Sequence, residues 1–140
     1  MVYIDTSVLV AYYSPEALSD SVQSYLRQHP RPAISTLTEV EFFSAVARKV
    51  RTQEIEKAAG NRIVAQLTAH IDSGLYTWLA MEHHHWKLAR GWIGLFSVPL
   101  RTLDALHLAL ASVQGLELVT SDIQLFQAAE ALAVKARLLQ

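Results

Sequence analysis

Two short apolar runs in this chain each end on a carboxylate. The first is VYI, followed by Asp5, Thr6 and Ser7; the second is LVT, followed by Ser121 and Asp122. A short, nearly continuous apolar run bounded by polar residues reads as a strand covered on both faces, the kind found in parallel sheets. Open parallel sheets gather ligands outside the carboxyl ends of their strands. If these two strands are neighbours, Asp5 and Asp122 meet at one edge.

The rest of the chain alternates in the same way. SVLVAYY reads as a helix capped by Thr6 or Ser7. Pro15 opens a second helix that runs through VQSYLRQ and stops before HPRP. AIS is a second strand. TLTEVEFFSAVARKV and EIEKAAGNRIVAQLTAHI are helical, with Gly60 weakening the second. LYTWL is a strand and EHHHWKLARGWIGLF a helix. TLDALHLALASV is a helix ending at Gly115, LELVT a strand, DIQLFQAAEAL a helix and VKARL a last, weak strand. The expected fold is a single domain over residues 1–140, of α/β class, with three α/β/α layers around a central, mostly parallel sheet. No linker or repeat divides it.

Composition narrows the function. With no cysteine, disulfides and thiolate zinc sites are excluded, and a cytoplasmic location is expected. No basic leader precedes the first apolar run, which Asp5 interrupts, so no signal peptide is expected. No uninterrupted apolar stretch of about 18 residues suggests a membrane span. Twelve basic and thirteen acidic side chains give a net charge of −1, so a nucleic acid would have to be held by a local patch.

Two further acids lie near helix starts: Glu41 in ISTLTEVEFF and Asp104 in RTLDALHLALA, within the first turn if Thr102 is the cap. Each of the four acids has a plain reading, because helix N-termini favour Asp and Glu as caps and as partners of the macrodipole. Thr38 and Glu41 have capping-box spacing, and so do Thr36 and Glu39; in the second case Glu41 is free. Convergence would have a cost. Two carboxylates about 4 Å apart repel by roughly 4 kcal/mol at an effective dielectric of 20, against a total domain stability of about 5–15 kcal/mol. Either protons or a cation must relieve it. An all-oxygen ligand set suits Mg²⁺ or Mn²⁺, and such a site suits phosphodiester hydrolysis.

The order of these segments resembles the PIN domain, and most of all the VapC toxins of toxin–antitoxin pairs. The residues that carry the likeness are DTSVL after the first strand, S-x-L-T-x-x-E from Ser35 to Glu41, L-D-A-L-H-L-A from Leu103 to Ala109, and L-V-T-S-D from Leu118 to Asp122. The resemblance implies a Mg²⁺- or Mn²⁺-dependent endoribonuclease. Asp5, Glu41 and Asp104 match the three core acids and Asp122 the more variable fourth; all four are the implied catalytic and metal-holding residues. Thr6 and Ser121 are carried over as supporting hydroxyls. The resemblance also implies an RNA substrate, a homodimer and a small antitoxin partner. Two other readings keep the fold: a PIN nuclease of RNA processing without a toxin role, and a PIN module that binds RNA or protein without cutting.

Other residues are weighed against these. Adjacent helical positions point about 100° apart, so His83, His84 and His85 cannot share one metal, and His85 is expected to pack. His107, one turn after Asp104, could face the site as an acid or base, and it also sits in an apolar helix, where a packed, hydrogen-bonded histidine is the expected reading. Arg48, Lys49 and Arg51 form the densest basic cluster. Arg48 and Lys49, with Arg101, are candidate RNA phosphate contacts.

Overall fold

The chain starts in the middle of its sheet. β1 (Val2–Ile4) pairs in parallel with β2 (Ala33–Ser35) on one side and with β4 (Glu117–Thr120) on the other. β3 (Thr77–Leu79) extends the sheet beyond β2, and β5 (Ala136–Leu138) extends it beyond β4. The order is therefore β3-β2-β1-β4-β5, parallel throughout. This computed structural model describes residues 1–140. The strand order reverses between β1 and β4, which opens a crevice at their carboxyl ends. Asp5 and Asp122 both lie there.

The helices are α1 (Thr6–Tyr13), α2 (Ser19–Arg27), α3 (Thr36–Arg51), α4 (Lys57–Asp72), α5 (His83–Ile93), α6 (Thr102–Gln114) and α7 (Ile123–Ala131). The strands alternate sides, as the two-residue period of a strand requires. Val2, Ile4, Ile34 and Val119 pack with residues of α1, α3 and α4 such as Leu9, Phe42 and Leu67. Tyr3, Ala33 and Leu118 face the opposite layer, with Leu108 and Leu110 of α6 and Leu125 and Ala129 of α7. α5 covers the outer side of α6 through Ala89 against Ala105, Leu106 and Ala109. Every residue of α6 from Ala105 to Ala111 is buried, which explains its all-apolar pattern around a single polar residue, His107. Removing a buried leucine such as Leu108 would cost about 2–5 kcal/mol.

Several local expectations are corrected. α1 is capped by Asp5, whose side chain accepts from the Val8 amide, and not by Thr6 or Ser7. α2 begins at Ser19, four residues after Pro15. α3 starts at Thr36, but its capping box is closed by Ser35 and Thr38, so Glu39 does not fill it and Glu41 stays free of it. Arg101 occupies the N-cap position of α6 and Thr102 is its first helical residue. Gly60 has a packing reason: a Cβ there would stand 2.8 Å from Val50 Cγ2, so the glycine lets α4 close on α3. Where α4 meets α1, the Tyr13 phenol lies 2.7 Å from His70 Nδ1 and 2.6 Å from the Tyr76 phenol.

Candidate active site

Asp5 is placed by the sheet itself. The register sets Ile4 beside Val119, so the next residues along, Asp5 and Thr120, face each other across the crevice. Thr120 Oγ1 donates to Asp5 Oδ2 at 2.6 Å; Ser7 Oγ donates to Oδ1 at 2.6 Å, and the Val8 amide to the same oxygen at 3.2 Å. Only 4% of Asp5 is exposed. Burial pushes its carboxyl above the usual range, and the hydrogen bonds from Ser7 and Thr120 pull part of the way back.

Glu41 sits on the second turn of α3. Thr6 Oγ1 donates to its Oε1 at 2.8 Å, and His107 Nε2 makes a short hydrogen bond to the same oxygen. A carboxylate only accepts, so Nε2 carries the hydrogen there and Nδ1 is free to accept from the Tyr3 hydroxyl, 2.7 Å away. Tyr3 Oη in turn lies 2.8 Å from Ser35 Oγ and 3.1 Å from Thr38 Oγ1. A buried relay thus runs from the start of α3, through Tyr3 and His107, back to Glu41. Burial works to raise the Glu41 carboxyl, but the hydrogen bond from His107, its charge when protonated, Thr6 and Arg101 outweigh it, and the net direction is down.

Asp104 lies one turn before His107 on α6. Arg101 Nε donates to Asp104 Oδ2 at 2.9 Å, and Arg101 Nη2 donates to Asp122 Oδ2 at 3.1 Å. One guanidinium thereby ties the start of α6 to the start of α7. Asp122 also caps α7, accepting from the Gln124 amide at 2.9 Å and the Leu125 amide at 3.3 Å. Burial moves the Asp104 carboxyl up, against the pull of Arg101.

A cavity of about 290 Å³ collects Asp5, Glu41, Asp104 and Asp122 with Thr6 and Arg101. The four acids from four separate segments do converge. The two readings of Asp5 and Asp122 are therefore compatible, since both cap helices and line the cavity. Arg101 is the only lysine or arginine in its wall. No group of three acids or histidines is drawn together to hold an ion as the side chains stand, and Arg101 spans Asp104 and Asp122. The chemistry of the donors nonetheless suits a hard divalent cation. Four carboxylates face one guanidinium, and Glu41 Oε2 and Asp104 Oδ1 accept no hydrogen bond from the protein.

Other sequence candidates lie elsewhere. Arg48 and Lys49 do not line the cavity; they stand two turns or more beyond Glu41, about 10 Å along the axis of α3. Lys49 instead faces Glu16 and Glu54, at 3.9 and 3.5 Å. Ser121 gives only its backbone amide, to Ser7 Oγ at 3.0 Å. Thr120, one residue earlier, supplies the hydroxyl that holds Asp5, and sequence reading missed it because strand register is not visible in one chain. Tyr3 was missed too, as it reads only as a core aromatic. His85 is buried, as expected, and accepts from the Glu82 amide at 2.9 Å, while its Nε2 is buried without a hydrogen-bond partner.

The family model described as "PIN domain" matches residues 2–131. Ribonuclease VapC46 of Mycobacterium tuberculosis is 34% identical over 137 residues, which cover 95% of this chain and 93% of that protein. Among solved structures, the fold is similar to M. tuberculosis VapC20, described as a sarcin-ricin loop cleaving toxin, with a TM-score of 0.73 and 16% identity over 91% of this chain and 95% of that one. It is also similar to a chain of a toxin–antitoxin complex from Klebsiella pneumoniae, with a TM-score of 0.65 and 20% identity over 90% of each chain.

Proposed function

We propose, from the premise that this chain belongs to the PIN-domain family, that it is a Mg²⁺- or Mn²⁺-dependent endoribonuclease and the toxin of a toxin–antitoxin pair. The observation that carries this reading is the meeting of Asp5, Glu41, Asp104 and Asp122 in one cavity at the switch point of the sheet. Its relatives named as VapC ribonucleases support the same activity. The likeness to a toxin–antitoxin complex supports a small antitoxin as partner, and the family resemblance extends this to a homodimer.

Each residue has a role in that reading. Asp5, Glu41, Asp104 and Asp122 hold the cation, which supplies electrophilic assistance to phosphodiester hydrolysis when bound. Thr120 and Ser7 fix both oxygens of Asp5, so that its carboxylate does not turn. Thr6 and His107 fix Glu41 by one oxygen and leave the other without a partner in the protein. Arg101 is the one cation of the wall and is placed to meet a phosphate oxygen in exchange for its acids.

The test is to incubate the purified protein and Asp5→Asn with total RNA, in Mn²⁺ and in EDTA, and to map new ends. Cutting that requires both Asp5 and the metal is expected. Cutting by Asp5→Asn at the wild-type rate would overturn the assignment.

A further inference from the structure

A second cavity adjoins the acidic one and is larger, about 450 Å³. Arg101 and Asp104 line both. Its far side is α7, which presents Gln124 and Gln127 with Ala128 and Ala131; the near side is the loop that leads into α6, through Val98 and Leu100. Residues three and four apart share a helix face, so the two carboxamides sit side by side above a floor of methyl groups. Neither glutamine side chain makes a hydrogen bond within the protein, although the Gln124 backbone amide does.

Chemistry selects the occupant. Arg101 stands on the boundary with the acidic cavity, and the rest of this lining offers no positive charge and includes Asp104, so a phosphate that draws Arg101 belongs to the acidic side and not to this space. Its volume lies within the range of roughly 300–1,000 Å³ typical of small-molecule pockets. It offers apolar walls for the faces of a flat ring, and carboxamides that both donate and accept for its edge. An unpaired RNA base is recognised by stacking on aromatic rings or an Arg guanidinium, a role that Arg101 can fill here, and by hydrogen bonds to its edge. A strand whose phosphate lies against the four acids must place a neighbouring nucleotide in an adjoining space, and this one shares two residues with the acids.

We propose that this cavity binds an unpaired nucleobase next to the phosphate that is cut, and that Gln124 and Gln127 are specificity-determining residues that read its edge. The proposal rests on the ribonuclease reading above. It also gives the protein a source of RNA affinity that its net charge of −1 does not supply.

The experiment uses short single-stranded RNAs built on the mapped cleavage sequence, with each of the four bases placed in turn beside the cut. Cleavage is measured for the wild type, Gln124→Ala, Gln127→Ala and the double variant, with melting curves to show that each is folded. The wild type is expected to prefer one base, and the double variant to lose about tenfold of that preference, through a raised KM with little change in kcat. Gln127→Glu, which keeps the shape but removes the donors, is expected to change which base is preferred. A double variant that cuts with undiminished preference, or a wild type indifferent to the base, would overturn the subsite and leave the ribonuclease standing. A wild type that neither binds nor cuts any RNA would remove both.

Discussion

The Tyr3 phenol lies 2.7 Å from His107 Nδ1, so a side chain on the first strand holds the imidazole that holds Glu41. Both groups are buried, His107 with 3% exposure, so each depends on its partners within the protein. Tyr3→Phe strips a hydrogen-bond partner from His107, Ser35 and Thr38 together. Leaving buried polar groups unsatisfied costs about 1–3 kcal/mol, and denaturant unfolding is expected to show a loss of that size. A change under about 0.5 kcal/mol, the range of neutral surface substitutions, would mean that the relay contributes nothing to the fold.

Asp5 makes a prediction of opposite sign. Burial raises its carboxyl pKa in the folded state above the ordinary 3.8. A raised folded-state value means stability that is fully present below that ordinary value and lost as pH rises through the folded one. At neutral pH, where the unfolded chain holds this carboxyl ionised, the metal-free protein therefore folds at a cost that a neutral side chain at this position would not carry. Asp5→Asn is expected to melt higher than wild type at neutral pH in EDTA, with the gap closing in acid. A lower melting temperature at neutral pH would show that the hydrogen bonds from Ser7 and Thr120 outweigh the burial.

Divalent metal should reverse that order. A ligand that binds only the native state stabilises it by about 2.7 kcal/mol at one hundred times its Kd, or several degrees of melting temperature in a domain of this size. Mg²⁺ or Mn²⁺ is expected to raise the melting temperature of wild type, EDTA to abolish the rise, and Asp5→Asn to show little of it. A melting curve indifferent to both ions would mean that the carboxylates do not act as a cation site.

Arg101 competes for the same oxygens. It is an exposed side chain that bridges Asp104 and Asp122, so its two ion pairs add at most about 1 kcal/mol. Arg101→Gln is expected to change stability little, while Mn²⁺ binds more tightly by direct titration. Weaker binding would show that the guanidinium orients the acids for the cation rather than occupying them.

At alkaline pH the weak point is elsewhere. Burial pushes the Tyr13 phenol from 10.0 up to about 12, with Tyr76 hydrogen-bonded beside it and shifted the same way. The native state keeps that proton while the unfolded chain releases it. The corresponding stability is full below pH 10.0 and is lost as pH rises toward about 12. Denaturation followed across this range should show the decline, smaller in Tyr13→Phe. Tyrosinate absorbance appearing at ordinary pH in the folded protein would contradict it.

What could be read in one chain follows from what each feature depends on. The strands VYI and LVT, and the acids after them, are legible because burial on both faces imposes a local composition and because an acid after such a strand is a local event. The convergence of Asp104 and Glu41 is legible from their place at helix starts. The cap of α1 was not, because Asp5, Thr6 and Ser7 are all competent caps and only the path of the backbone chooses among them. Thr120 and Tyr3 were invisible for a different reason. Their roles come from partners 115 and 104 residues away, Asp5 and His107, and no local pattern marks a long-range hydrogen bond. The basic cluster at Arg48 and Lys49 lies away from the cavity, and its place was not legible because charge density along a sequence says nothing of which end of a helix faces the crevice.

The place of β1 has a consequence for synthesis. It is translated first but has a neighbour on each side, and one of them, β4, pairs Val2 with Glu117. Until β4 and the start of α7 have emerged, β1 has an open edge, Asp5 lacks Thr120, and Asp122 does not yet exist beside it. The loop-closure entropy of so distant a pairing must also be overcome before its contacts form, and folds dominated by non-local strand pairing fold slowly. A nascent chain that lacks β4 and the start of α7 therefore carries no assembled acidic site, because the order in which the sheet is filled leaves the partners of Asp5 until late in synthesis.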